Sequence, residues 1–225
     1  IAISEGVKKT LVNEFKIKSN KIDVIYNPAA DDRILEMAKE KVEENYLDKN
    51  FNIINIGRLT RQKDHITLLK ALKIVLKKIQ CNLLIIGEGS ERKNINKFII
   101  DNNLENNVNL VGYKSNPWKY LYRADLFVLS SIWEGFGNVI VESMILGVPV
   151  ISSDCKSGPS EILNNGKHGD LFKIRDHNKL SELIIEEFNS KKLKDKVNKA
   201  KERSQDFSIN KITSKYEESF KKLLT

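Results

Sequence analysis

Asn52-Ile53-Ile54-Asn55-Ile56-Gly57 and Asn82-Leu83-Leu84-Ile85-Ile86-Gly87, with the run Thr67 to Ile79 between them, decide the fold class. Leu83 to Ile86 is apolar at odd and even positions alike, as in a strand covered on both faces. The intervening run places Leu68, Leu69, Leu72, Val75, Leu76 and Ile79 at helical spacing. The same alternation continues outward. Glu91 to Asn102 reads as a helix, Val108 to Gly112 as a strand and Trp118 to Arg123 as a short helix. Leu126 to Ser130 reads as a strand, Asn138 to Leu146 as a helix, Val148 to Ser152 as a strand and Leu180 to Phe188 as a helix. Strands alternating with helices imply βαβ units with right-handed crossovers. The expected fold is therefore α/β, a Rossmann-like parallel sheet with helices on both faces. Ligands of such folds bind outside the carboxyl ends of the strands, where Gly57, Gly87, Gly112 and Ser130-Ser131 fall.

The ends of the chain stand apart from this core. Val7 to Phe15 reads as a helix and Lys21 to Tyr26 as a strand, broken by Asn27-Pro28. Ile209 to Leu224 reads as a further amphipathic helix. With 225 residues the chain suits one large domain, or a domain plus a fragment. It opens on Ile1 with residues that already read as the middle of a fold, so a piece of a longer protein is expected.

Composition narrows the functions. No stretch approaches the ~18 uninterrupted apolar residues of a membrane span, and no secretory signal peptide is legible. Cys81 and Cys155 are too few and too far apart for a disulfide framework or a zinc site, so reduced structural thiols and a cytoplasmic location are expected. The net charge is +8, with much of the excess around Lys191 to Lys201 and at Lys221-Lys222. Such a charge suits a solvated surface, an acidic ligand or an anionic membrane. Basic residues do not interleave with aromatics, and no zinc-finger or basic-zipper spacing occurs, which argues against nucleic acid.

Two clusters can carry chemistry. The first is Gly57-Arg58-Leu59-Thr60-Arg61-Gln62-Lys63-Asp64, between a strand and a helix. There Arg58 offers a planar fork to phosphate oxygens and Lys63 a compact charge, while glycine permits close approach. On charge alone an ordinary solvated basic loop is the better explanation. The second is Glu134-Gly135-Phe136-Gly137-Asn138-Val139-Ile140-Val141-Glu142. Two glycines before a helix leave amides and the helix dipole turned toward an anion. A carboxylate at Glu134 or Glu142 can accept bonds from adjacent sugar hydroxyls, whereas a capping acid plus a surface acid is the plain alternative. Gly87-Glu88-Gly89-Ser90-Glu91-Arg92 lacks the third glycine of the dinucleotide fingerprint, and no Walker run exists. His65, His168 and His177 are scattered, so no metal site is expected. His65, at a helix start, reads as a packing or capping residue, and Trp118 and Trp133 as core or pocket wall.

Taken in order, these segments resemble retaining GT-B glycosyltransferases, most closely glycosyltransferase family 4. Glu134 and Glu142 match the E-x7-E motif, and Gly57 to Asp64 resembles the G-R-L-x-x-x-K-D phosphate loop. Gly87-Glu88-Gly89 resembles the strand-end G-x-G, and Val111-Gly112-Tyr113 the loop beside the base. Ala124-Asp125-Leu126-Phe127-Val128 resembles the strand that enters the paired-acid segment. The resemblance implies that Arg58 and Lys63 bind the donor diphosphate, Glu142 the ribose hydroxyls and Glu134 the transferred sugar. It implies contacts from Gly57, Gly87, Tyr113 and Lys114 with the nucleotide, and from Gly135, Phe136, Gly137, Asn138 and Val139 with phosphate or sugar. It implies no cofactor and no divalent metal.

The segment Asp154-Cys155-Lys156-Ser157-Gly158-Pro159-Ser160-Glu161-Ile162 is similar to that of members using UDP-hexoses or UDP-N-acetylhexosamines for surface glycans, although Ser157-Gly158-Pro159 also reads as a plain turn. The expected partners are a UDP-sugar donor, a glycan or lipid-linked acceptor, the N-terminal domain of the same protein and, through basic residues, the cytoplasmic face of a membrane. Residues 1–28 would then be the end of the acceptor domain, 29–208 the nucleotide-sugar domain and 209–225 a helix crossing back. A nucleotide-sugar 2-epimerase shares this architecture, and a non-catalytic nucleotide-sugar-binding module is a third reading. The intact G-R-L and E-G-F-G segments favour transfer.

Overall fold

In the computed structural model, which describes residues 1–42, 46, 50–190 and 194–224, the sheet forms from the expected apolar runs. Its strands are β1 (Phe51–Ile56), β2 (Cys81–Ile86), β3 (Val108–Leu110), β4 (Leu126–Leu129), β5 (Val150–Ser153) and β6 (Asp170–Phe172). All neighbours pair in parallel, in the order β3-β2-β1-β4-β5-β6. The helices are α1 (Glu5–Asn13), α2 (Arg33–Met37), α3 (His65–Val75), α4 (Arg92–Asp101) and α5 (Trp118–Leu121), then α6 (Asn138–Ile145), α7 (Pro159–Ile162), α8 (His177–Ser190), α9 (Lys194–Ser204) and α10 (Ile209–Leu224). Lys191, Lys192 and Thr225, which belong to the basic stretch and the terminal helix read from sequence, lie outside the described residues.

Apolar residues of both parities serve two cores. Ile54, Ile56, Leu84, Ile86, Phe127 and Leu129 face one side of the sheet and pack with Ile140, Val141 and Met144 of α6 and Tyr120 of α5. Ile53, Leu83, Ile85, Leu126 and Val128 face the other, with Leu68, Leu69 and Leu72 of α3, Ile95 of α4 and Ile184 of α8. Each such Leu or Ile, fully buried, is worth about 1.5–3 kcal/mol of transfer free energy. Three layers follow, helices on both faces of one sheet.

The winding reverses between β1 and β4, where a crevice opens. The register there runs Ile53↔Leu126 and Ile54↔Phe127. One residue further on, the side-chain amide of the buried Asn55 donates to the Val128 carbonyl at 2.8 Å. A buried carbonyl at the mouth of the crevice is thereby satisfied by a side chain. Asp125 enters β4 by accepting from the Asn52 amide at 2.8 Å.

The strand expected over Lys21 to Tyr26 is not formed. A 3-10 turn spans Ser19–Lys21, and a single parallel bridge joins Ala2 to Val24. The neighbour this segment meets is the short stretch at Ala2, which donates to Asp23 and accepts from Ile25, so pairing stops at one rung. β6 and the helices α2, α7 and α9 carry too few periodic apolar residues to be read beforehand.

Gly158 sits at φ +88°, and a Cβ there would lie 1.9 Å from the Phe136 carbonyl oxygen. Its closest obstacles are backbone, which cannot swing aside as a side chain does. Gly158→Ala is expected to lower stability by at least about 2 kcal/mol, measured as a reduced urea midpoint at constant slope.

Candidate functional site

The loop after β1 is fastened before it carries any charge to the crevice. Gly57 donates to the Ile86 carbonyl at 3.0 Å and Leu59 to the Glu88 carbonyl at 2.8 Å. Leu59 is fully buried, which pins the loop between its charged neighbours. A Cβ on Gly87 would stand 1.9 Å from the Gly57 carbonyl oxygen, so the first two strand-end loops touch through backbone. On the other side, Ile132 donates to the Gln62 carbonyl at 2.8 Å, and the Gln62 amide to the Trp133 carbonyl at 2.8 Å. Ser130 Oγ donates to the Lys63 carbonyl at 2.9 Å. The loops after β1 and β4 are thus laced together across the reversal point.

Lys63 and Glu134 meet where they join. Lys63 Nζ lies 2.6 Å from Glu134 Oε1, with side chains only 15% and 8% exposed. Ser131 Oγ donates to the same oxygen at 2.6 Å. Removing one partner of a pair this dry typically costs about 3–5 kcal/mol. The stem of Lys63 runs beside Gly57, whose added Cβ would meet Lys63 Cε at 3.4 Å.

Beyond Glu134 the chain enters α6 through Gly137, and no side chain caps this helix. Its first amides therefore present partial positive charge at the crevice. Asn138 accepts from the Asn27 amide at 3.0 Å. Phe136 is buried, stacked on Tyr26 with centroids 5.4 Å apart and edge-on to Phe207 at 5.4 Å, so it offers the crevice backbone rather than a side chain. Glu142, about one turn into α6, accepts from Trp118 Nε1 at 2.8 Å. Burial raises its carboxyl above the usual range, against the opposing pull of that indole N–H.

Gly57, Arg58, Gly87, Tyr113, Lys114 and Pro117 line a cavity of about 410 Å³ at the ends of β1 and β2. Arg58 and the ring of Tyr113 are exposed, and Lys114 Nζ stands 5.4 Å and 5.8 Å from the ring centres of Tyr46 and Tyr120. Of the expected residues, Arg58, Tyr113 and Lys114 border the cavity, and Lys63, paired with Glu134, runs beside Gly57 of the cavity wall. Glu142 is tied to Trp118, next in sequence to Pro117 of the cavity wall.

Trp133 is half exposed, whereas Trp118 is a working partner of Glu142 that spacing gave no means of pairing. Glu161 was likewise invisible in its role. Its carboxylate accepts from the Glu5 and Gly6 amides at 2.7 and 3.0 Å, holding the start of α1 against the site-bearing layer. Cys81 and Cys155 are buried free thiols, pushed up to about 12 and about 11 by burial, and so are inert.

A family model described as "Glycosyl transferases group 1" matches residues 36–204. The chain belongs to the group 1 glycosyl transferases. It is 33% identical over 242 residues to "Uncharacterized glycosyltransferase MJ1059" of Methanocaldococcus jannaschii, covering 93% of this chain and 60% of that protein. It is also 33% identical over 210 residues to the Campylobacter jejuni N-acetylgalactosamine-N,N'-diacetylbacillosaminyl-diphospho-undecaprenol 4-alpha-N-acetylgalactosaminyltransferase, covering 93% and 56%. A structure of an S. aureus TarM variant with fondaparinux, alpha-GlcNAc-glycerol and UDP superposes with a TM-score of 0.79 at 29% identity, covering 96% of this chain and 42% of that one. The chain therefore spans under two thirds of these relatives, and its sheet is the Rossmann-like C-terminal half of a GT-B fold.

His65, in the first turn of α3, is 2% exposed, and neither ring nitrogen has a partner among the described residues. Burial, then the Lys63 charge, lowers its pKa to about 4. Between an unfolded value of about 6.5 and a folded one of about 4, the unfolded chain takes up a proton that the folded protein refuses. Stability from this group is complete above that window and is lost as pH falls through it. Urea unfolding at about pH 7 and about pH 4.5 should show this loss, and His65→Met should diminish it.

Proposed function

We propose that the chain is the donor-binding half of a retaining, metal-independent glycosyltransferase of the family 4 type. It would move a hexose or N-acetylhexosamine from a UDP-linked donor to a glycan or lipid-linked acceptor. The observation that carries this reading is the Lys63–Glu134 pair on loops laced across the point where the sheet reverses, with the Lys63 stem beside Gly57, which lines the same cavity as Arg58.

In this reading the base and ribose enter the cavity beside Gly57, Gly87, Tyr113 and Lys114, with Glu142 taking the ribose hydroxyls. The diphosphate lies between Arg58, Lys63 and the amides of Gly137, Asn138 and Val139. Negative charge grows on the leaving diphosphate as the sugar bond breaks, and cations fixed in advance by the laced loops stabilise it at little reorganisation cost. Glu134 orients the transferred sugar through its hydroxyls. With two cations supplied by the protein, neutralisation needs no divalent metal. The named activity of the Campylobacter relative and the UDP bound to TarM support a UDP-sugar and a lipid-linked or surface glycan.

The acceptor would dock on an N-terminal domain of which residues 1–28 are the end, with α10 crossing back toward it. Phe15, Phe220 and Leu224 are exposed apolar side chains suited to that interface. No helix of the described residues is long and apolar enough to cross a membrane. Contact with the cytoplasmic face would be peripheral, through lysines. The isolated chain should accordingly bind donor without transferring sugar.

Calorimetry across a panel of nucleotide sugars tests the assignment. Lys63→Ala and Glu142→Ala should each weaken binding by at least about 1 kcal/mol. Affinity unchanged in both variants would remove the site.

A further inference from the structure

Ser131 lies two residues past the end of β4 and is fully buried, and its hydroxyl is committed to a single acceptor, Glu134 Oε1, at 2.6 Å. Its backbone is held in turn. The Ser131 carbonyl accepts from Ser153 Oγ at 2.6 Å, and Ser153 is itself fully buried at the end of β5. A buried hydroxyl whose backbone is tied to β5 is a rigid donor for the Glu134 carboxylate.

The same carboxylate oxygen also takes Lys63 Nζ at 2.6 Å. These two donors are not equivalent once a ligand arrives. An ammonium on a flexible stem turns readily toward phosphate oxygens, whereas the Ser131 hydroxyl has no such freedom. From this geometry, and resting on the donor-site reading above, we infer that Ser131 is a positioning residue for Glu134 that sets how the site distinguishes a nucleotide sugar from the bare nucleoside diphosphate. When the diphosphate draws Lys63 away, Ser131 keeps Oε1 occupied and leaves Oε2 aimed at the hydroxyls of the sugar. Without it, the carboxylate follows the lysine or rotates, and its bonds to the sugar are lost while those to the nucleotide remain. Support of this kind behind a contacting group governs its alignment more than its presence.

The readout is the ratio of dissociation constants, UDP over UDP-sugar, using whichever of UDP-glucose, UDP-galactose, UDP-N-acetylglucosamine and UDP-N-acetylgalactosamine binds most tightly to the unaltered chain. Ser131→Ala should leave UDP affinity within about twofold and lower the ratio about tenfold, the worth of one charge-assisted hydrogen bond. In a Glu134→Ala background the same substitution should leave the ratio unchanged, because the effect passes through Glu134. A loss equal for both ligands, or a fall that persists without Glu134, would overturn the inference and make Ser131 merely structural. If the unaltered chain fails to bind UDP, the donor-site reading itself falls and takes this inference with it. Should Ser131→Ala fail to fold, Ser153→Ala, which loosens the Ser131 carbonyl, must lower the ratio in the same direction, and an unchanged ratio there overturns the proposal.

Discussion

A parallel sheet covered on both faces can continue in only one direction until its winding reverses, and everything of consequence in this chain follows from where that reversal lies. Between β1 and β4 the crossovers diverge to opposite edges, so no connecting helix closes the strand ends. The two strands are paired at Ile53 and Ile54, and the amide of Asn55 then satisfies the Val128 carbonyl. A polar side chain near the end of an apolar strand thus gives that buried carbonyl its partner.

Charge placed in such a crevice is partly dry, and the structure manages it by pairing. Lys63 and Glu134 satisfy each other, while the side chains of Gln62 and Ser130 donate to backbone carbonyls and hold the loops that bear them. With the loop backbone held, only the Lys63 ammonium has to turn when a ligand oxygen replaces Glu134 as its partner. Glu142 is managed differently. Burial makes its ionised form costly, and the Trp118 indole offsets part of that cost.

The loop leading into α6 depends on chain segments distant in sequence. Phe136 is gripped between Tyr26 and Phe207, and its carbonyl leaves room only for a glycine at position 158. Asn27 reaches Asn138, and Glu161 caps α1 from the opposite layer. Segments near both ends of the chain therefore pack on the stretch that leads from Glu134 into α6.

Much of this was legible in the residues alone. Strands buried on both faces announce themselves as unbroken apolar runs, so β1, β2 and β4 fall within a residue or so of the expected spans. Glycines and charges at strand ends marked Arg58, Lys63, Glu134 and Glu142, because the carboxyl edge of a parallel sheet is where loops face a ligand. Lys21 to Tyr26 has strand propensity but only a single-rung partner, and the three residues of β6 form a strand only by pairing with β5. By itself, the sequence determined the layers, the sheet and the edge at which chemistry gathers, since these depend on local periodicity and solvent exclusion. Tertiary structure alone decided that Lys63 meets Glu134 and that Trp118 meets Glu142. A hydrogen bond requires atoms within about 3 Å in a set orientation, and no spacing along a chain specifies that for residues far apart in sequence.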